Sequence, residues 1–132
     1  MIIGAPKELF DAEARVALTP DSAAKLQKLG YTCLIESGAG IAASIADSEY
    51  EAAGVTVVSS ANELWRQADI IVKVREPTTD EIDQAAEGKT LVSFFNPAAN
   101  THLLEQASAK KLNVLAMDMI PRISRAQKMD AL

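Results

Sequence analysis

The sequence is poor in the residues that build metal sites, disulfides and nucleic-acid surfaces. It has one cysteine and one histidine, Cys33 and His102, among 132 residues. One cysteine cannot form an internal disulfide, and the pair offers no credible ligand spacing for a metal. Lysine and arginine number 13 against 18 aspartate and glutamate residues, so the net charge is −5. That balance argues against nucleic-acid binding, which needs a basic field.

Long apolar runs and a signal-peptide pattern are also missing. No apolar run approaches the ~20 residues that a membrane helix needs, and Met1–Gly4 lead directly into a predicted strand. With no disulfide framework, these features predict a soluble cytoplasmic domain. The hydrophobic share of 48% and the charged share of 23% are ordinary for a globular protein. A chain of this length fits one domain with a sizeable core.

Short apolar runs alternate with helical patterns along the chain. Thr19, Ser60 and Thr78 are predicted N-caps, and Gly30 is a predicted helix end. The apolar runs predict strands starting at Ile2 and over 31–36, 55–58, 69–74, 90–95 and 113–117. The alternation predicts an α/β single domain, a flavodoxin-like doubly wound parallel sheet of about five strands. Ligands of such sheets bind at the carboxyl ends of the strands.

Residues 38–43 match the pattern G-x-G-x-x-A, which can hold a pyrophosphate at a helix N-terminus. The match follows the second predicted strand rather than the first. The next strand ends in Val58-Ser59-Ser60, without the acidic residue that binds ribose hydroxyls. A tight turn that requires glycine is therefore the simpler interpretation.

Arg15 and Lys73 are candidate cations of a pocket. Arg15 follows the first strand, where an arginine can hold a carboxylate through two parallel hydrogen bonds. Lys73 interrupts an apolar strand near its carboxyl end, where a lysine is costly to bury unless it is paired or faces a cleft. The alternatives are a surface salt bridge for Arg15 and pairing with Glu76 or Glu8 for Lys73, and the sequence leaves both open.

The segment 121–132 concentrates polar side chains that could hold an anionic ligand. Arg122 and Arg125 are three residues apart and would share one face of a helix. Arg122 and Gln127 could reach a neutral amide and ribose or phosphate oxygens, and Asp130 could orient Arg122 or accept a hydrogen bond from an amide. A charged, solvated start of a helix is the alternative. We expect the chain to be the first domain of a larger enzyme, ending after it supplies part of a shared site.

Several stretches resemble the alanine dehydrogenase and pyridine nucleotide transhydrogenase family. They are Gly4–Glu8, Glu13–Pro20 with Leu29-Gly30, Glu36–Gly40 and Val72–Pro77. Together they extend the resemblance over essentially the whole chain. One departure is Ala12, where the family usually has asparagine.

The resemblance implies the transhydrogenase branch of that family. Alanine dehydrogenases carry a histidine after the fifth strand, where this chain has 95–98, Phe-Asn-Pro-Ala. The segment 121–130 resembles the transhydrogenase alpha-subunit loop beside the nicotinamide of NAD(H). By that match Arg122, Gln127 and Asp130 would be the catalytic residues that orient the nicotinamide. The implied cofactor contacts are Arg122, Ile123, Ser124, Arg125, Gln127 and Asp130.

The activity that the resemblance implies is hydride transfer between NAD(H) and NADP(H), coupled to proton translocation. Residues 1–120 would form the N-terminal domain, and 121–132 would begin the active-site loop and a connecting helix to a missing Rossmann NAD-binding domain. NADP(H) would sit on a partner domain, and the parent would be a homodimer with NADP-binding and membrane components. The domain would then lie on the cytoplasmic side of the inner membrane, and alone it would be inactive.

Two other hypotheses belong to different classes. A fragment of an NAD-dependent alanine dehydrogenase would use Arg15 and Lys73 on its amino acid, but the expected histidine is missing. A stand-alone, non-enzymatic small-molecule-binding module would have a well-packed C-terminus and its own ligand at the strand ends.

Overall fold

The computed structural model describes residues 1–9, 13–96 and 98–117. Helices and strands alternate throughout these ranges. In chain order they are β1 Ile2–Ala5, α1 Pro20–Lys28, β2 Thr32–Glu36, a 3-10 turn Ile41–Ala43, α2 Asp47–Ala52, β3 Thr56–Val58, α3 Ala61–Gln67, β4 Ile70–Val72, α4 Thr79–Gln84, β5 Thr90–Ser93, α5 Thr101–Ala109 and β6 Asn113–Ala116.

All six described strands are parallel and form one sheet in the order β3-β2-β1-β4-β5-β6. The prediction of an α/β domain with a doubly wound parallel sheet is confirmed. The strand order is the one found in dinucleotide-binding folds, whereas the flavodoxin-like order is 2-1-3-4-5. The chain crosses from β3 over β2 and β1 to reach β4, and α3 contacts all three of those strands. Hydrophobic patterns do not encode such a crossover.

Helices cover the sheet on both faces and create two cores. Strand residues alternate between the faces because successive side chains of a strand point to opposite sides. On one face, α1 and α2 enclose Ala5, Leu18, Ala23, Cys33, Ile35, Tyr50 and Val55. On the other, α3, α4 and α5 enclose Leu34, Leu64, Trp65, Ile71, Ile82, Leu91, Phe95 and Leu103.

The helices begin where the caps were predicted. The hydroxyl groups of Thr19, Ser60 and Thr78 accept hydrogen bonds from backbone N–H groups of the first turns of α1, α3 and α4. Gly30, which follows α1, has φ +99°, a conformation that favours glycine. These local signals fix where the helices begin and end, and the parallel pairing of the strands places their carboxyl ends at one edge of the sheet.

The two scarce residues have opposite surroundings. Cys33 is buried in β2, and burial raises the pKa of its thiol, so it is a poor nucleophile. His102 is exposed in the first turn of α5. Neither takes part in a cluster of metal ligands, and the described ranges contain no group of three or more His, Cys, Asp or Glu residues that could hold a metal ion.

Candidate functional site

A cavity of about 330 Å³ opens at the carboxyl edge of the sheet, beyond the ends of β4 and β5. It lies beside the boundary between β1 and β4, where the strand order reverses and where ligands bind in such sheets. The side chains and backbone that line it are those of Arg15, Val74, Arg75, Glu76, Phe94 and Asn96. The sequence predicted Arg15 here and did not single out Arg75.

Arg15 forms a bidentate ion pair with Glu13. Arg15 Nε and Nη2 donate to the two carboxylate oxygens of Glu13, each at 2.9 Å, and the backbone N–H of Arg15 donates to Glu13 Oε2 at 2.8 Å. The hydrogen bond from the Arg15 side chain lowers the pKa of Glu13 from 4.5 to about 2. Arg75 Nη1 approaches the same carboxylate at 4.0 Å. Glu13 therefore carries its negative charge beside the two arginines at any ordinary pH.

Lys73 lies just beyond β4 and its side chain is buried between two glutamates. Its Nζ is 3.3 Å from Glu8 Oε1 and 3.4 Å from Glu81 Oε2, and the three side chains are 5% exposed or less. Pairing with Glu8 was one alternative that the sequence offered, and it is present. Lys73 does not line the cavity in the described residues.

Glu8 joins the exits of β1 and β4 across the centre of the sheet. Besides the ammonium of Lys73, its carboxylate accepts hydrogen bonds from Val74 N at 2.9 Å and Arg75 N at 3.1 Å. These three hydrogen bonds fix the backbone where Arg75 begins to face the cavity.

Glu81 is the partner of Lys73 that the sequence did not predict. The carboxylates near Asp80 are readily explained as complements of the α4 dipole, and Glu81 does accept from Thr78 N at 2.9 Å as part of a capping box. Its other oxygen faces Lys73 in the interior. The available signal was Lys73 itself, because a buried lysine requires counter-charges from neighbouring elements.

Asn96 lies just after β5 and lines the cavity. Its φ of +48° is uncommon for a residue other than glycine. The side-chain amide of Asn100 donates to the carbonyl oxygens of Phe95 at 2.9 Å and Asn96 at 3.3 Å, which holds this turn in place. The side-chain amide of Asn96 cannot act as an acid or base near neutral pH.

The turn at 38–43 uses its amides internally. Gly38 N donates to Asp47 Oδ1 at 2.9 Å and Ser37 Oγ donates to Asp47 Oδ2 at 2.6 Å, while Ala39 N donates to the carbonyl oxygen of Glu36 at 3.0 Å. A Cβ atom on Gly40 would lie 2.8 Å from the carbonyl oxygen of Ile45. The glycines are therefore explained by the turn, in agreement with the simpler interpretation of the pattern.

The residues predicted to contact the nicotinamide lie outside the described residues. This applies to Arg122, Ile123, Ser124, Arg125, Gln127 and Asp130, so their roles stay predictions. The helices in the described part of the chain include none that is long and apolar enough to cross a membrane.

The fold and the charged edge together define the class of protein. A six-stranded doubly wound sheet with a polar cavity beside its central strand boundary is typical of the ligand-binding domains of α/β enzymes. The chain belongs to the alanine dehydrogenase/PNT family, whose N-terminal-domain model matches residues 4–132.

Two curated relatives represent the two branches of this family. An NAD(P) transhydrogenase subunit alpha from Cereibacter sphaeroides is 59% identical over 132 residues, which are 100% of this chain and 25% of the relative. An alanine dehydrogenase from Mycolicibacterium smegmatis is 32% identical over 120 residues, which are 91% of this chain and 32% of the relative. The chain thus spans a quarter of the transhydrogenase subunit that it resembles more strongly.

Solved structures agree on the fold. A transhydrogenase from Sinorhizobium meliloti superposes with a TM-score of 0.93 and 37% identity, covering 100% of this chain and 39% of that one. An L-alanine dehydrogenase superposes with a TM-score of 0.84 and 39% identity, covering 89% and 32%. Identity to these two structures does not separate the branches, but the TM-score and coverage favour the transhydrogenase.

Proposed function

We propose that the protein forms the first domain of the NAD(H)-handling alpha subunit of an NAD(P) transhydrogenase. The observation that carries the proposal is the identity of 59% to such a subunit over the whole chain, against 32% to an alanine dehydrogenase over 120 residues. The segment 95–98, Phe-Asn-Pro-Ala, which has no histidine after the fifth strand, supports the same choice.

In this function the residues after β6 orient the nicotinamide. A reduced nicotinamide supplies the hydride, and the protein supplies orientation. Arg122, Gln127 and Asp130 have the donor and acceptor groups that hold a neutral carboxamide, and Ile123, Ser124 and Arg125 complete the contacts. Residues 121–132 begin the active-site loop and the helix that leads to a Rossmann NAD-binding domain in the same parent chain.

The parent protein transfers hydride between NAD(H) and NADP(H), with NADP(H) bound on a partner component. It couples this transfer to proton translocation, as a homodimer that joins membrane components, and it works on the cytoplasmic side of the inner membrane. The match to alpha subunits, which by name are one part of a larger assembly, supports these partners.

Arg15 and Lys73 hold internal carboxylates in this function rather than an amino-acid substrate. Glu13 occupies two donors of Arg15, and Glu8 and Glu81 occupy Lys73 in the interior. This arrangement supports an architectural role for both cations.

The test uses the parent protein that carries this chain. Arg122→Ala should slow hydride transfer from NADH to an NADP analogue by ~10- to 1000-fold, because orientation and a charged hydrogen bond are lost. Lys128→Ala, in the same segment, is the matched control and should leave the rate within about twofold. Single-turnover rates with saturating nucleotides are the measurement.

Two outcomes would contradict the proposal. An Arg122→Ala enzyme with the parent rate would remove Arg122 from the site. Reduction of NAD+ by L-alanine, at a rate above that of hydride transfer to the NADP analogue, would assign the parent to the alanine dehydrogenase branch.

A further inference from the structure

The buried Glu8–Lys73–Glu81 cluster contains one more carboxylate than ammonium. Both carboxylates approach the same Nζ, at 3.3 and 3.4 Å, and all three side chains are excluded from solvent. Excess buried charge is costly, and a titratable group relieves it by binding a proton. The cluster is therefore suited to take up one proton.

The two carboxylates differ in how well their charges are satisfied. Glu8 accepts from three donors, namely Lys73 Nζ, Val74 N and Arg75 N. Glu81 accepts from Thr78 N with one oxygen, and within the described ranges the other oxygen is paired with Lys73 alone. A proton therefore binds at Glu81 Oε2, where it displaces one ion pair and no backbone hydrogen bond.

The environment of Glu81 agrees with this assignment. The pKa of Glu81 is raised, and burial is the largest cause. The charge of Glu8 raises this pKa further, whereas the charge of Lys73 and the hydrogen bond from Thr78 lower it. The other acidic groups of α4 are exposed. On the neighbouring helices, α3 carries Glu63 and Arg66 and α5 carries His102 and Glu105, and none of these is paired with the cluster among the described contacts.

The two glutamates accept backbone hydrogen bonds at the two ends of the segment between β4 and α4. Glu8 holds Val74 and Arg75, and Glu81 holds Thr78. This segment includes Arg75 and Glu76, which line the cavity.

We propose that the Glu8–Lys73–Glu81 cluster is a proton-operated latch on residues 74–78, which releases the α4 end of this segment when Glu81 Oε2 takes a proton from solvent. The contact between Lys73 Nζ and Glu8 Oε1 is kept. The neutral Glu81 loses the ion pair with Lys73 and becomes a weaker acceptor for Thr78 N, because hydrogen bonds to ionised acceptors are about twice as strong as neutral ones. The backbone at Arg75, which lines the cavity, is then held mainly by the hydrogen bonds that Val74 N and Arg75 N donate to Glu8.

The experiment is a pH titration of the full chain by NMR, following the side-chain carboxyl carbon of Glu81, the backbone amides of Val74 and Thr78, and Nε of Arg75. The Glu81 carboxyl should titrate with a midpoint above 4.5, its ordinary value. Thr78 N–H and Arg75 Nε should shift with that same midpoint, while Val74 N–H, bonded to Glu8, should not follow it.

Variants separate the latch from a general effect of pH. Glu81→Gln should abolish the transition at Thr78 and Arg75, whereas Asp80→Asn, which removes an exposed carboxylate of the same helical turn, should preserve it. The proposal is overturned if Glu81 titrates near 4.5, if Thr78 and Arg75 do not share its midpoint, or if their transition survives in Glu81→Gln. The wild-type titration decides the first two points even if the Glu81→Gln chain does not fold.

Discussion

Lys73 and Arg15 carry the same charge at the same edge of the sheet, yet their surroundings are opposite. The Lys73 side chain is 1% exposed and has two carboxylate partners from different elements, while the Arg15 side chain is 68% exposed and has a partner two residues away. A buried ammonium depends on its partners, because no water replaces them. The Arg15–Glu13 pair is open to solvent on the arginine side, where water screens the charges, so it depends less on its partner than the buried ammonium does.

This contrast gives a stability prediction for Lys73. Lys73→Met should lower the free energy of unfolding by about 3–5 kcal/mol, since it leaves two buried carboxylates without a counter-charge. Lys28→Met, at an exposed position of α1, is the control and should change it by no more than about 0.5 kcal/mol. Urea unfolding at pH 7 measures both, and equal midpoints for the two variants would contradict the role assigned to Lys73.

The turn between β2 and α2 shows why two glycines of one pattern are not equivalent. Gly38 has φ +83° with open space around it, so it requires conformational freedom. Gly40 has a Cβ position 2.8 Å from both Ile45 O and Tyr50 Cε2, so it requires the absence of a side chain. The pattern predicted a turn, but the distinct reason for each glycine comes from packing.

Alanine substitutions separate these two requirements. Gly38→Ala should cost ~1–2 kcal/mol from the left-handed backbone alone, and Gly40→Ala should cost ~1–3 kcal/mol from overpacking against Tyr50. The two can be told apart by near-ultraviolet circular dichroism, because only the Gly40 change should perturb the tyrosine signal. Ala42→Ser, at an exposed position of the same turn, should match the parent in both stability and spectrum.

The helices and strands could be predicted because their sequence signals span a few neighbouring residues. The contacts of the site could be predicted less well because they join residues that are far apart in the sequence. Thr19 and Thr78 mark helix starts within four residues of sequence, and both caps are present. The order of the six strands depends on a crossover that no short pattern encodes. Glu81 has the pattern of an ordinary capping residue, and only the fold brings it to Lys73 from another element.

The pH dependence of stability belongs to the whole molecule, and Glu81 contributes with an unusual sign. Its pKa is raised on folding, so the folded state binds the proton more tightly than the unfolded state. The stability from this group is present below about pH 4.5 and is lost as pH rises through the raised pKa. Glu13, whose pKa falls to about 2, contributes in the opposite direction and loses its stabilisation as pH falls from 4.5 toward 2.

Comparison with Glu81→Gln isolates the contribution of Glu81. The free energy of unfolding of the parent, minus that of Glu81→Gln, should decrease as pH rises above 4.5 and level off once Glu81 is fully ionised. Urea unfolding at half-unit steps of pH measures the difference. A difference that grows with pH over the same range would mean that folding lowers the pKa of Glu81 instead.

The central position of β1 bears on how the chain folds while it is being made. β1 is synthesised before the other five described strands, pairs with β2 early, and meets β4 only after a separation of 67 residues, as between Ile3 and Ile70. At typical elongation rates of ~5–20 residues per second, one side of β1 stays unpaired on the ribosome for several seconds. An unpaired strand edge invites pairing with other chains. The nascent protein is therefore most exposed to misassembly, and to chaperone capture, in the interval before β4 emerges.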